Sequence, residues 1–261
     1  MFVRIVENIV HEINPAEVKE YVVMNYLNQI PASEFGTANR DMVLDLIIKN
    51  TAQIFTENFF EFLITKPIGF CEDTNESSFF FFTNGFVEVT EDSKYLHPYE
   101  KLQGCIWENE IISREYEEVA IRSEYEDFLY NAVGKDSARM ISLRTAIGYM
   151  VYRKKKPGEE KAILLIDEII SDGPSGRSGK GLTIRGIGKL RKTVILDGRT
   201  FSPGKNFAFQ RVGVDCNVLA FDDLDKNFPF EKLFSVISDG ITIERKNKDE
   251  IYLPYEKSPK L

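Results

Sequence analysis

An α/β fold is predicted for the second half of this 261-residue chain, and three observations predict it. Short apolar, partly β-branched runs recur at "AILLI" (162–166), inside "LRKTVILDG" (190–198) and at "CNVLAFDD" (216–223). Glycine-rich turns and helical stretches separate them. Strands alternating with helices argue for a parallel sheet covered by helices, because a parallel connection must cross over the sheet face. The first half shows no such alternation and reads as a helical and mixed α+β region. The boundary is placed before Asp136, giving residues 1–135 and 136–261.

In order along the chain, residues 15–30 ("PAEVKEYVVMNYLNQI") and 40–65 carry apolar residues at spacings of three and four and predict helices. "SSFFFFTNGFVEVTED" predicts a β-hairpin near 79–90, with Asn84-Gly85 as its turn because both central positions favour positive φ. Phe79 to Phe82 are expected to be strand core. Residues 122–133 predict an acidic helix. A clearer helix follows in "DSARMISLRTAIGYMVYRKKK", capped by Asp136 or Ser137, with an apolar stripe of Met140, Leu143, Ile147, Met150 and Val151. Its basic end, Arg153 to Lys156, suits a helix C-terminus, and Pro157-Gly158 stops it. Near the end, "DGITIERKNKDEIYLPY" (239–255) predicts a two-stranded ribbon with a basic tip.

Composition narrows the function. No apolar run approaches the roughly 18 residues that span a bilayer, and the N-terminus lacks a signal-peptide core, so a cytoplasmic protein without membrane partners is expected. Three separated cysteines and two histidines exclude a zinc site of the usual spacing. Net charge is −8, but it is uneven: residues 1–150 hold 12 basic and 25 acidic residues, residues 151–261 hold 21 and 16. A nucleic-acid face is therefore open to the second half.

The chemistry-bearing stretch is "SDGPSGRSGKGL" (171–182). It approaches the phosphate-loop pattern G-x-x-x-x-G-K-[ST], in which backbone N–H groups and a helix N-terminus cradle phosphates and the lysine reaches the outer ones. Pro174 replaces the first glycine and Gly181 the hydroxyl residue. The candidate ATP-binding residues are Gly176, Arg177, Ser178, Gly179, Lys180 and Gly181, with Lys180 on the outer phosphates. A glycine-rich turn that merely contains a lysine is the competing reading. Downstream, "VLAFDD" ends a strand in two acids: Asp222 is the candidate Mg²⁺ ligand and Asp223 the residue that polarises the attacking water. "AILLIDE" carries the same signal at Asp167 and Glu168 but precedes the loop. Arg245, Lys246 and Lys248 at the ribbon tip are candidates for contact with DNA phosphates.

These segments, in this order, resemble the superfamily-three helicases attached to primases of phages and mobile elements, relatives of the poxvirus-type primase-helicases. "FFFFTNGFVEVTEDSKYLHP" is similar to the segment before their ATPase core, "LRTAIGYMVYRKKKPGEEKAILLI" to its first helix and strand, "GRSGKG" and "VLAFDD" to its Walker A and B motifs, and "FSVISDGITIERKNKDEIYLPYEKSPKL" to its third motif, a DNA-contacting ribbon. The resemblance covers roughly residues 80–261. It implies an AAA+-like P-loop NTPase core with an incomplete parallel sheet, ATP and Mg²⁺ as cofactors and single-stranded DNA as partner. It also implies a hexameric ring, association with a primase, and ATP-dependent DNA unwinding in the bacterial host cytoplasm. The family's sensor asparagine and arginine finger would lie beyond Leu261. The alternatives are a DNA-binding replication accessory with weak or no hydrolysis, favoured by Gly181, and a small-molecule kinase, which predicts no ribbon.

Overall fold

The computed structural model describes residues 2–27, 40–61, 65–119, 122–167, 178–225 and 227–261, and of Tyr26, Leu27, Arg40, Glu57, Phe59 and Lys248 the backbone only. In chain order the elements are β1 (Phe2–Val6), β2 (Ile9–Ile13), α1 (Pro15–Val22), α2 (Arg40–Lys49), α3 (Thr51–Ile54), α4 (Glu57–Phe60), β3 (Ser78–Phe82), β4 (Gly85–Val89), β5 (Lys94–His97) and β6 (Ile106–Trp107). They continue with α5 (Glu124–Ala132), α6 (Ser137–Val151), α7 (Lys180–Ile187), β7 (Thr193–Asp197), β8 (Val218–Asp222), α8 (Phe234–Ser238), β9 (Gly240–Arg245) and β10 (Lys248–Pro254). The chain divides into two compact units: Met1–Cys71 with Pro98–Asn109, and Glu72–His97 with Glu110–Leu261. The division thus falls away from the expected 135/136 boundary, and the phenylalanine hairpin belongs with the second unit. No described helix is long and apolar enough to cross a membrane.

The first unit opens with a hairpin that the sequence did not announce. β1 and β2 pair antiparallel from Phe2↔Ile13 to Val6↔Ile9, and Glu7 and Asn8 turn the chain with left-handed φ values of 49° and 65°. That geometry matches the strands' right-handed twist. The Asn8 amide donates to the carbonyls of Tyr99 and Leu102, and β6 pairs parallel to β2, burying Val10 and Ile106. α1 starts at an Asn14–Glu17 capping box.

In the second unit, β3, β4 and β5 form an antiparallel sheet. Phe80, Phe81 and Phe82 are buried, as a strand core requires. The turn differs from the expected one: Phe82 pairs with Gly85, so Thr83 and Asn84 make the turn. Gly85, at φ 141°, is needed for a different reason: a Cβ there would lie 2.4 Å from the His97 carbonyl oxygen on β5.

Behind this sheet sits a buried ionic cluster. The Asp73 carboxylate accepts from the backbone N–H groups of Phe79 and Arg153 (3.0 and 2.7 Å) and from the Ser78 hydroxyl (2.7 Å). Arg153 and Arg191 flank it at 3.4 and 3.5 Å. Arg191 also donates to the carbonyls of Val151 and Phe79 and stacks over the Phe80 ring, while Arg153 lies over Phe81.

α6 begins where expected, with Asp136 accepting from the N–H of Arg139, and buries Met140 and Met150. It ends at Val151, before the basic run, and that run is not simply a solvated helix end. Lys155 is 7% exposed, donates to Ser258 (2.8 Å) and lies 4.2 Å over the Tyr255 ring. Lys260, 3% exposed, donates to the α6 carbonyl of Tyr149 (2.8 Å) and to that of Tyr152 just beyond the helix (2.5 Å).

β7 and β8 pair parallel from Thr193↔Val218 to Asp197↔Asp222. The C-terminal segment lies on the other side of β8, with a parallel bridge Val218↔Lys260 and a bond from Leu219 N–H to the Lys260 carbonyl. "AILLI" does not form the expected buried strand. Ile163 N–H bonds to the Leu261 carbonyl, but Leu164 and Ile166 are exposed. β9 and β10 form the expected ribbon over a core that includes Leu219, Ile241, Ile243 and Leu253.

Two predictions follow from this packing. Asp73→Ala takes the buried carboxylate away from the Arg191 guanidinium and leaves Arg153 with Glu110 (2.7 Å) as its remaining carboxylate, and should cost about 3–5 kcal/mol in urea unfolding. Burial pushes the amines of Lys155 and Lys260 down to about 8, partly offset for Lys155 by the Glu256 and Glu160 carboxylates. Between that value and the ordinary 10.5 the unfolded chain binds more protons than the folded one, so this contribution to stability rises with pH. Burial also raises the Cys216 thiol to about 11, which acts in the opposite sense above the ordinary 9.0. Unfolding free energies at about pH 7.5 and about pH 9 should therefore increase more steeply in the parent than in Lys155→Met or Lys260→Met.

Candidate functional site

The C-terminal ends of β7 and β8 carry a group of charged residues. Asp197 and Asp222 stand opposite each other in the parallel register. They play different parts. The Asp197 carboxylate builds its own turn, accepting from the N–H of Arg199 (3.0 Å) and the hydroxyl of Thr200 (3.1 Å). The Asp222 carboxylate has no hydrogen-bond or ion-pair partner among the described residues and is exposed. Gly198 lets the strands close at this edge: its N–H bonds to the Asp222 carbonyl at 2.6 Å, and a Cβ would lie 2.7 Å from that same oxygen. Asp223 follows with a left-handed φ of 55°, and its carboxylate meets the Arg199 guanidinium at 3.0 Å.

The N-terminus of α7 belongs to the same edge. Gly179 caps the helix at φ 88°, and Lys180 is its first residue. A Cβ on Gly181 would be 4.0 Å from the Asp222 carboxylate, so the first turn of α7 lies against the free acid of β8. The backbone N–H groups of Lys180 and Gly181 have no acceptor among the described residues, as expected in a helix's first turn. The Lys180 amine is occupied: it donates to the Asp167 carboxylate at 2.5 Å and to the Ser178 hydroxyl at 2.9 Å. Asp167, from the other apolar-then-acidic segment, is thus the counter-ion of the candidate phosphate lysine. Gly176 and Arg177 lie outside the described residues.

Two glycines of this region serve packing against α5. A Cβ on Gly179 would lie 2.7 Å from the Phe128 ring, and one on Gly186 would lie 2.0 Å from the Tyr125 hydroxyl. Tyr125 and Phe128 stack on each other, and the Tyr125 hydroxyl donates to the Thr183 carbonyl at 3.0 Å. The aromatic residues of α5 thus pack directly on α7.

At the ribbon, Lys246 and Asn247 form the two-residue turn, Asn247 at φ 59°, and Lys246 is exposed. Arg245 is not part of an open basic tip. Its guanidinium turns back and donates to the Val212 carbonyl at 3.3 Å, because the strand alternation points it toward the body. Lys248 starts β10 opposite Arg245.

The structure therefore brings Lys180, Gly181, Asp222 and Asp223 to one edge and keeps Lys246 apart on the ribbon. Arg199 and Asp197 escaped the sequence reading, although "TVILD" carries the same apolar-then-acidic signal as "VLAFD". Among the described residues no group of three or more acidic, histidine or cysteine side chains is placed to hold a metal ion by itself. No protein-family model matches the chain, and no curated protein is significantly similar in sequence.

The glycine at the α7 cap is testable without any ligand. Gly179→Ala imposes both a left-handed φ on alanine and a collision with Phe128, and should destabilise by more than the roughly 1 kcal/mol typical of a strained residue. Gly181→Ala meets only ordinary contact at 4.0 Å and should be neutral or stabilising in the same thermal-melt comparison.

Proposed function

We propose that this chain binds ATP with Mg²⁺ at the N-terminus of α7 and acts as an ATP-dependent DNA helicase of the superfamily-three type. The observation that carries the reading is the meeting of Lys180, the first residue of α7, and the unpartnered Asp222 at the C-terminal end of a parallel strand. In open α/β sheets ligands bind at that end of the strands, and a helix N-terminus there offers free N–H groups and a favourable dipole to phosphate.

The residues present suit these groups. Mg²⁺ is commonly held by one or two carboxylates together with substrate phosphates and water, so Asp222 alone, with the nucleotide, is an adequate donor set. Mg²⁺-ATP supplies a phosphoryl group whose charge the metal helps neutralise. On the protein side, the N–H groups of Lys180 and Gly181 would face phosphate oxygens, and Lys180 would exchange Asp167 for them. Asp223 is the proposed residue that polarises the attacking water, and the Arg199 guanidinium meets its carboxylate at 3.0 Å. Single-stranded DNA is the proposed partner, reached through Lys246 and Lys248 on the ribbon. Ring assembly and association with a primase belong to the same reading.

The alternative, a DNA-binding replication accessory with weak or no hydrolysis, is supported by the Lys180–Asp167 pair and by glycine at 181. The two readings divide on turnover with and without single-stranded DNA. Both require nucleotide binding. Calorimetry with Mg²⁺-ATP should show binding by the parent and none by Lys180→Ala, with unchanged melting of the free proteins. Equal affinity in the two would remove the phosphate-loop assignment.

A further inference from the structure

At the root of the ribbon lies a hollow of about 400 Å³, walled by the 203–209 loop, α8 and the β9–β10 strands. Its volume falls within the range of small-ligand sites, roughly 300–1,000 Å³. Tyr252 forms one wall. The residue is 59% exposed, yet its hydroxyl is fastened to the Asp239 carbonyl at 3.0 Å, which restrains the ring's orientation. An exposed, pre-oriented aromatic face is the element on which nucleic-acid bases stack.

Two lysines share the lining with it, together with the acids Asp239 and Glu244. Lys205 and Lys232 line the hollow and make no ion pair among the described residues, and a Cβ on Gly204 would lie only 3.8 Å from the Lys232 amine. Asn206, Thr242 and Asp239 add amide, hydroxyl and carboxylate groups of the kind that meet base edges. The loop is held in place at some cost: Phe207 takes a left-handed φ of 61°, and its N–H bonds to Glu244 on β9 at 3.0 Å. Such strain persists where surrounding contacts over-determine the backbone, and often marks a ligand clamp.

We infer that this hollow is a nucleotide subsite for single-stranded nucleic acid, with one base stacked on Tyr252 and its phosphate between Lys205 and Lys232. A base paired in a duplex cannot enter, so the subsite selects single strands. It is distinct from the α7 edge, and Tyr252 and Lys232 lie on elements unrelated to Lys180. The inference rests on the single-strand reading proposed above, but not on ATP binding.

The test is fluorescence anisotropy with a labelled oligothymidylate, with the same strand in duplex form as comparison. Tyr252→Ala should weaken single-strand binding about 10-fold or more, while Tyr252→Phe, which keeps the ring, stays within about 3-fold of the parent. Lys205→Ala and Lys232→Ala should each reduce the salt slope by about one counterion. Circular dichroism and melting of every variant establish that it is folded, which an exposed strand position such as 252 permits. Parent-like affinity in folded Tyr252→Ala, with Lys246→Ala weakened, overturns the subsite and leaves the ribbon reading standing. Absence of single-strand binding by the parent overturns both.

Discussion

The second unit depends on a single carboxylate that has been removed from water. The Asp73 side chain is wholly buried, and the desolvation of such a charge is repaid only if every lone pair finds a donor. Here the donors come from three places in the chain: the start of β3, the second residue after α6 and the stretch between α7 and β7. Arg191 matters most for position. It joins Phe79 and Val151 through its own hydrogen bonds and stands two residues before Thr193, where β7 begins. The hairpin, the end of α6 and the entry into the parallel pair are thereby tied to one point. The aromatic rings of Phe80 and Phe81 cover the guanidinium groups on either side. Flat, delocalised cations tolerate such faces better than ammonium groups do, which makes arginine the suitable partner here.

The same helix end is satisfied a second time, from the far end of the chain. The last carbonyls of an α-helix have no intrahelical donor. Arg191 takes that of Val151, and Lys260 takes that of Tyr149 together with the Tyr152 carbonyl that follows the helix. Lys260 thereby holds the C-terminal segment along β8, and Lys155 grips its neighbours Ser258 and Pro259. Position in the parallel pair is thus set at the N-terminal end of the strands by buried cations. At the C-terminal end, the acids Asp222 and Asp223 are exposed.

Much of this was legible from local pattern. The periodicity of α6, the aromatic strand β3, the apolar strands β7 and β8, and the pairing of the ribbon were legible because their burial follows their own residue spacing. What failed depended on distant partners. Gly85 was read as a turn residue, yet its glycine is demanded by the His97 carbonyl of the next strand. Gly179 and Gly186 were read for phosphate or passed over, yet Phe128 and Tyr125 of α5 require them. Lys155 was read as part of a basic helix end suited to the helix C-terminus, and its burial depends on Tyr255 and Ser258, about a hundred residues on. "AILLI" has the composition of a buried strand, but only Ile163 among the described bonds finds a neighbour in Leu261. At the candidate site the sequence named Lys180, Asp222 and Asp223. It did not couple Lys180 to Asp167, because a pairing across thirteen residues through a glycine-rich stretch has no local signature.

The two departures at the α7 edge bear unequally on ATP. Glycine at 181 removes a hydroxyl, but Mg²⁺ keeps several waters when bound to proteins, and a water can take that place. Asp222, its only nearby carboxylate on β8, has no such substitute. The Asp167 pair acts on the lysine instead. Phosphate must displace a carboxylate already 2.5 Å from the amine, and Asp167, itself only partly exposed, then loses its counter-ion. The exchange replaces one charge-assisted bond by another, so the net gain from Lys180 is smaller than for a lysine standing free in water. Under the proposed function, this pair lowers nucleotide affinity rather than removing it. The proposed helicase and accessory readings therefore separate on turnover, the step proposed for Asp223, and not on nucleotide binding, which both require.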